Sequence, residues 1–154
     1  MLRVGVDLVA IPRIRAALER HGERFRARVY TPLELQLCRD RVPELAARFA
    51  AKEAVSKALG VGIFAPGGIG WRDVEVLCDR RGRPLVYLTG PAQARAQVLH
   101  LVEWAISLTH ERDVAAAFVV ASGPGPAEPF EPAAWREELS RLLPPAAGGL
   151  PSED

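Results

Sequence analysis

Apolar and polar positions along this chain follow two periods, and the switches between them divide it into elements. Over Leu2–Val9 the residues Val4, Val6 and Leu8 alternate with Gly5, Asp7 and Val9, the period of two that predicts a buried β-strand. The spacing then becomes helical. Ile11, Ile14 and Leu18 make a core stripe, Pro12 suits the first turn and Gly22 suits the end. Arg13 and Arg20 share the opposite side, with Arg24 just beyond the helix. Thr31-Pro32-Leu33-Glu34 reads as a capping box, predicting a helix of about ten residues that ends before Pro43. Pro43 opens a longer helix that Gly60 closes, and its alanines (46, 47, 50, 51, 54 and 58) give it high propensity and a slim profile. Phe49, Glu53 and Lys57 fall on one face of it, and Glu53 four residues before Lys57 is the favourable order for an ion pair.

From Gly60 to Gly70, five glycines and one proline predict a loop whose backbone a ligand can approach. Trp71–Cys78 alternates as a strand, residues 79–83 turn, and Pro84–Leu88 returns as a β-hairpin. Thr89-Gly90-Pro91 starts a helix to about His100. Val102–Leu108 and Val114–Val120 form a second hairpin, with His110 where the first strand enters the turn and the run from Val114 reading as fully buried. Gly123-Pro124-Gly125-Pro126 breaks the pattern. In the Pro- and Ala-rich tail, Glu131–Leu143 predicts an amphipathic helix with Trp135, Leu139, Leu142 and Leu143 on one side, suited to docking on the body or on a partner.

At 154 residues the chain holds one core, and no apolar run approaches the ~18 residues of a membrane span. Its start reads as no signal peptide, and Cys38 and Cys78 stand in no metal-ligand spacing, so free thiols and a cytoplasmic location are expected. The net charge of +1 hides an asymmetry: residues 1–60 carry +5 and the tail from Ser122 carries −4. Six arginines within residues 12–28 favour an acidic partner.

Of the 20 basic residues 18 are Arg, and the only lysines, Lys52 and Lys57, flank Glu53. Lysine is a compact charge whose pKa shifts readily, whereas arginine is a fixed fork, so the pair marks this helix for chemistry or else forms an ordinary surface ion pair. Asp7 is the other anomaly. A carboxylate in an apolar strand must be paired, hydrogen-bonded or metal-bound, unless it caps the next helix. Two such carboxylates amid Lys and Arg suit Mg²⁺, which keeps waters and takes phosphate oxygens, and point to phosphoryl or pyrophosphate chemistry. Triads, zinc motifs and dinucleotide fingerprints are absent from the sequence.

Val4-Gly5-Val6-Asp7-Leu8-Val9 and Arg48-Phe49-Ala50-Ala51-Lys52-Glu53-Ala54-Val55-Ser56-Lys57-Ala58-Leu59-Gly60 together resemble the two signature motifs of the phosphopantetheinyl transferases. Ser107-Leu108-Thr109-His110 and the short chain are similar to the bacterial holo-acyl-carrier-protein synthase branch. The resemblance covers residues 1–121 and leaves 122–154 as an appended tail. It implies a compact α+β fold with antiparallel strands packed on helices, assembled as a homotrimer whose subunits complete one another's sites. It implies transfer of 4′-phosphopantetheine from coenzyme A to a serine of acyl carrier protein, with release of 3′,5′-ADP, in support of fatty acid biosynthesis. Asp7 and Glu53 match the family's Mg²⁺ ligands. Lys57 matches the lysine that contacts the pyrophosphate or assists proton transfer at the leaving group. Arg48, Gly60 and His110 match positions at the phosphates of coenzyme A. The base is Glu53 or a metal-bound water, and Lys52 supports the helix or the ligand. Arg13, with Arg20 and Arg24, would receive the acidic carrier. An arginine-driven nucleic-acid module would explain residues 12–28 but leaves Asp7, Glu53 and the lysines without a role. A broad-specificity transferase would look like two fused copies of this unit, and the chain holds one. Neither a nucleic-acid nor a membrane partner is expected.

Overall fold

A computed structural model describes residues 1–125 and 132–143. Its elements run β1 (Leu2–Ala10), α1 (Ile11–Val29), α2 (Pro32–Cys38), α3 (Val42–Leu59), a 3₁₀ turn (Trp71–Asp73), β2 (Val74–Cys78), β3 (Pro84–Leu88), α4 (Gly90–Val98), β4 (Glu103–Glu111), β5 (Val114–Ser122) and α5 (Pro132–Leu142). The fold is α+β. One antiparallel sheet has the order β1-β5-β4 and a second is the β2–β3 hairpin.

Helix α3 is the axis of the molecule. Pro43 sits in its first turn, and Gly60 ends it in the left-handed conformation at φ 68. It is no surface helix. Leu45, Ala46, Ala50, Ala51, Ala54, Val55, Ala58 and Leu59 have no exposed surface at all. The small side chains serve close approach. A Cβ on Gly5 of β1 would lie 1.9 Å from the Ala54 carbonyl oxygen, so strand and helix meet backbone to backbone there.

This contact reverses the expected face of β1. Gly5 and Val9 point inward, while Leu2, Val4, Val6 and Leu8 are 56–67% exposed. The run from Val114 is likewise not fully buried: Ala115, Ala117, Val119 and Ala121 pack on α3, and Val114 and Phe118 face out. A single sheet on one helix buries one face only, so apolar residues on both sides leave an apolar outer surface.

Smaller differences have local causes. α1 runs past its expected end because Gly22 (φ 49, ψ −126) turns the chain and a second helical segment follows to Val29. α2 has the expected capping box but stops at Cys38, where Arg39 and Asp40 take positive φ. Trp71–Asp73 coils before the strand begins, with the Gly70 amide donating to Asp73 Oδ2 at 2.6 Å. β4 extends to Glu111, so His110 lies within the strand opposite Ala115 and not at its entry to the turn. Both cysteines are free, and burial pushes the Cys38 thiol up to about 11. α5 matches the expected amphipathic helix over the described residues, Glu131 and the tail from 144 onward lying outside them, and none of its residues is buried. No helix among the described residues is long and apolar enough to cross a membrane.

Candidate active site

The two anomalous carboxylates come together where β1 crosses α3. Asp7 pairs with Ala117 in the sheet and, two residues past Gly5, shares its inward face. Lys57, in the last turn of α3, donates from Nζ to Asp7 Oδ1 and to the Val6 carbonyl, both at 2.8 Å. Asp7 is therefore neither a helix cap nor unpaired, and Ala10 caps α1 without a side-chain bond. The expected Glu53–Lys57 ion pair does not form, because tertiary contact offers the ammonium a better-placed carboxylate and a carbonyl. Glu53 lies half-buried one turn back. Burial and then the charge of Asp7 push its carboxyl pKa up, against the pull of Lys57 and Arg13. Asp7, Glu53, Lys57 and Arg13 thus act on one another electrostatically, across residues far apart in the chain.

Lys52 takes the other role. Its side chain is fully buried, with Nζ donating to Glu34 Oε2 at 2.8 Å, to the Trp71 carbonyl at 3.0 Å and to the Val74 carbonyl at 2.6 Å. Glu34 in turn accepts from the Val76 and Thr31 amides, each at 2.8 Å. Burial pulls the Lys52 pKa below the ordinary lysine value, and Glu34 pulls it back. This pair locks α2, α3 and β2 together and holds α3 in the orientation that presents Glu53. The capping box revealed Glu34 as a cap, but nothing local revealed its bond to a lysine 18 residues away.

Arg48 is buried, donating from Nε to the Val76 carbonyl at 3.0 Å. With His110, Arg41, Glu44, Cys78 and Pro84 it lines a cavity of about 320 Å³ beside the α3–β2 contact. The structure therefore brings Arg48 and His110 to one place. Arg41 and Glu44, which sequence reading missed, belong to it as well: Arg41 donates to Glu44 and holds that carboxyl below its usual range. Gly60 is in the left-handed C-cap, its amide bonded to the Lys57 carbonyl at 3.0 Å, and a Cβ there would come within 3.2 Å of Arg3.

The exposed arginines of α1 fall in two groups. The Arg13 guanidinium lies 5.9 Å from the Phe49 ring centroid, one turn of α3 before Glu53, and Arg20 continues that surface. Arg24 follows the Gly22 turn, around a concavity shared with His21, Phe25 and Arg28. Arg28 covers the ring of the exposed Phe64 at 4.9 Å, joining this segment to the glycine-rich loop.

A protein-family comparison decides how these parts belong together. The sequence pattern of the 4′-phosphopantetheinyl transferase superfamily matches residues 3–119. The chain belongs to that superfamily. Its holo-[acyl-carrier-protein] synthase branch supplies close relatives of the transferase. The synthase of Herpetosiphon aurantiacus is 50% identical over 127 residues, spanning 80% of this chain and 100% of that protein. The synthase of Dehalococcoides mccartyi is 48% identical over 121 residues, 79% of this chain and 98% of that one. Among solved structures, Helicobacter pylori holo-[acyl-carrier-protein] synthase in complex with coenzyme A superposes with a TM-score of 0.70 at 32% identity, covering 77% of this transferase and 99% of that chain.

Proposed function

We propose that this transferase is a holo-[acyl-carrier-protein] synthase: it moves 4′-phosphopantetheine from coenzyme A to a serine of acyl carrier protein, releases 3′,5′-ADP, and thereby supports fatty acid biosynthesis. The observation that carries this reading is the meeting of Asp7, Glu53 and Lys57 at the β1–α3 crossing, in a chain half identical to synthases over their whole length.

Asp7 and Glu53 are the residues to hold Mg²⁺. The donor set fits, being two hard carboxylate oxygens with no third His, Cys, Asp or Glu grouped with them among the described residues, which leaves positions for water and pyrophosphate. When bound there, the metal supplies Lewis-acid polarisation of the pyrophosphate and stabilises the leaving charge. Glu53, more basic than an ordinary carboxylate, accepts the proton of the attacking serine. Lys57 neutralises the leaving phosphate. Arg48, His110 and the backbone at Gly60 take the nucleotide's phosphates, Arg48 and His110 from the shared cavity. Arg13, Arg20 and Arg24 steer the acidic carrier, and the place of Arg13 beside Phe49 brings its docking surface next to Glu53.

The outer face of β1 and β5 supports a homotrimer. Leu2, Val4, Val6, Leu8 and Phe118 form the apolar surface that self-association covers. Sedimentation analysis should find three chains, and a Phe118→Glu variant should lose them. We assign residues 1–121 to the transferase domain and 122–154 to an accessory tail, so truncation after Ser122 should retain transfer. The unpaired cysteines suit a cytoplasmic setting. The deciding experiment is mass spectrometry of apo-acyl carrier protein incubated with this protein, coenzyme A and Mg²⁺. A mass gain of one phosphopantetheine supports the reading; an unmodified carrier with folded protein refutes it.

A further inference from the structure

We infer that Lys57 is a built-in counter-ion that competes with the divalent cation for Asp7, making metal binding depend on the arrival of coenzyme A. The inference rests on the Mg²⁺ assignment above and adds a device that assignment does not require.

The geometry commits Lys57 to one side of the site. Its ammonium stands 2.8 Å from Asp7 Oδ1 and 2.8 Å from the Val6 carbonyl, although Glu53 lies one helical turn away on the same element in the favourable order. The Asp7 side chain is 18% exposed and that of Lys57 51%, so the carboxylate is held in place while the lysine can leave toward solvent. Among the described residues a free cation approaching this site finds no group of three or more His, Cys, Asp or Glu, and one of its two carboxylates, Asp7, already carries an ammonium. Binding must break that ion pair and leave Lys57 beside a positive ion, an arrangement like charges disfavour.

A pyrophosphate changes the balance. It brings new anionic oxygens to which a flexible lysine stem can swing, so the displaced ammonium regains a partner as the metal takes Asp7. Metal and coenzyme A then strengthen each other's binding, and by linkage the coupling is the same seen from either ligand. A purely structural Lys57, tying the end of α3 to β1, would add nothing to the coupling that direct contact between metal and pyrophosphate supplies by itself.

The test is Mn²⁺ binding to the full-length protein, read from the electron paramagnetic resonance signal of free Mn²⁺, with and without coenzyme A. Without coenzyme A, Lys57→Met should bind Mn²⁺ about fivefold more tightly than wild type, the scale of one partly exposed ion pair. Lys57→Arg, which keeps a cation at Asp7, should stay within about twofold of wild type. Coenzyme A should raise Mn²⁺ affinity more in wild type than in Lys57→Met. Equal or weaker Mn²⁺ binding by Lys57→Met, when Asp7→Asn abolishes binding, overturns the competition and leaves the metal assignment standing. Mn²⁺ binding indifferent to Asp7→Asn overturns both. Should Lys57→Met not fold, unchanged coupling in Lys57→Gln overturns the competition in the same way.

Discussion

Replacing Gly5 by alanine should separate the fold's stability from the placement of its site. The added Cβ would sit 1.9 Å from the Ala54 carbonyl oxygen and 3.1 Å from the Ala58 amide nitrogen, both main-chain atoms of a buried helix that cannot rotate away. Ordinary contact begins near 3.4 Å, so β1 must retreat from α3 by roughly 1.5 Å. Overpacking of this kind costs about 2–3 kcal/mol, lowering the melting temperature by roughly 10 °C. Asp7 rides on the same strand face. The same retreat stretches its 2.8 Å bond to Lys57 beyond hydrogen-bond range and pulls it from Glu53. Misplacing a reacting constellation by about 1 Å can cost ~10²-fold in rate, so transfer per folded molecule should fall on that order and the Mg²⁺ requirement should rise. Gly123→Ala is the control. Its Cβ would meet the His100 carbonyl oxygen at 1.9 Å, an equal clash at a place remote in the fold from Asp7, so it should destabilise comparably without altering the Mg²⁺ response. Thermal melts and Mg²⁺ titrations of the carrier-modification rate check both. A Gly5→Ala protein with wild-type melting and wild-type Mg²⁺ response would refute the backbone-contact argument.

Lys52→Ala should cost about 3–5 kcal/mol in urea unfolding, because it strands the buried Glu34 carboxylate. Lys52→Ala with Glu34→Gln should recover part of that loss, and a Lys52→Ala protein of wild-type stability would show the pair to be idle. Glu53 has its folded pKa raised above the unfolded value, so its stabilising contribution is complete in acid and is lost as pH rises through the folded pKa. The stability of wild type relative to Glu53→Gln should accordingly fall as pH rises above the ordinary carboxylate range, and a flat difference in urea midpoints would contradict the shift. Arg13→Glu should weaken carrier binding far more than coenzyme A binding in calorimetry, and equal losses would remove its docking role.

Local chemistry made much of this fold legible. The Thr31–Glu34 capping box, the Gly60 stop and both hairpins follow from signals a few residues long, and the structure repeats them. Long-range choices were not legible in local patterning, and only the family resemblance joined Asp7 to Glu53 and Arg48 to His110. The inward face of β1 carries Gly5 and Asp7, so the rule that apolar side chains point inward fails there. The reason is that the helix needs bare backbone and the apolar side faces out. Lys57 takes Asp7, 50 residues away, over its helical neighbour Glu53. Lys52, alike in sequence setting, becomes a buried structural tie to Glu34. Two lysines flanking one glutamate therefore part company, Lys57 pairing with Asp7 at the surface and Lys52 with Glu34 in the core, and their local sequence does not set either partner.

In the proposed trimer, the outward row of Leu2, Val4, Val6, Leu8 and Phe118 would make quantity a variable in the behaviour of this protein. Where subunits hide such a face from water, mass action enters the stability of each chain, and dilution alone can unfold what heat or denaturant would otherwise be needed to unfold. For the proposed trimer, specific activity should hold at high protein concentration and collapse over a narrow range as it is diluted. The cell's rate of making carrier active would then follow the abundance of the enzyme more steeply than in proportion.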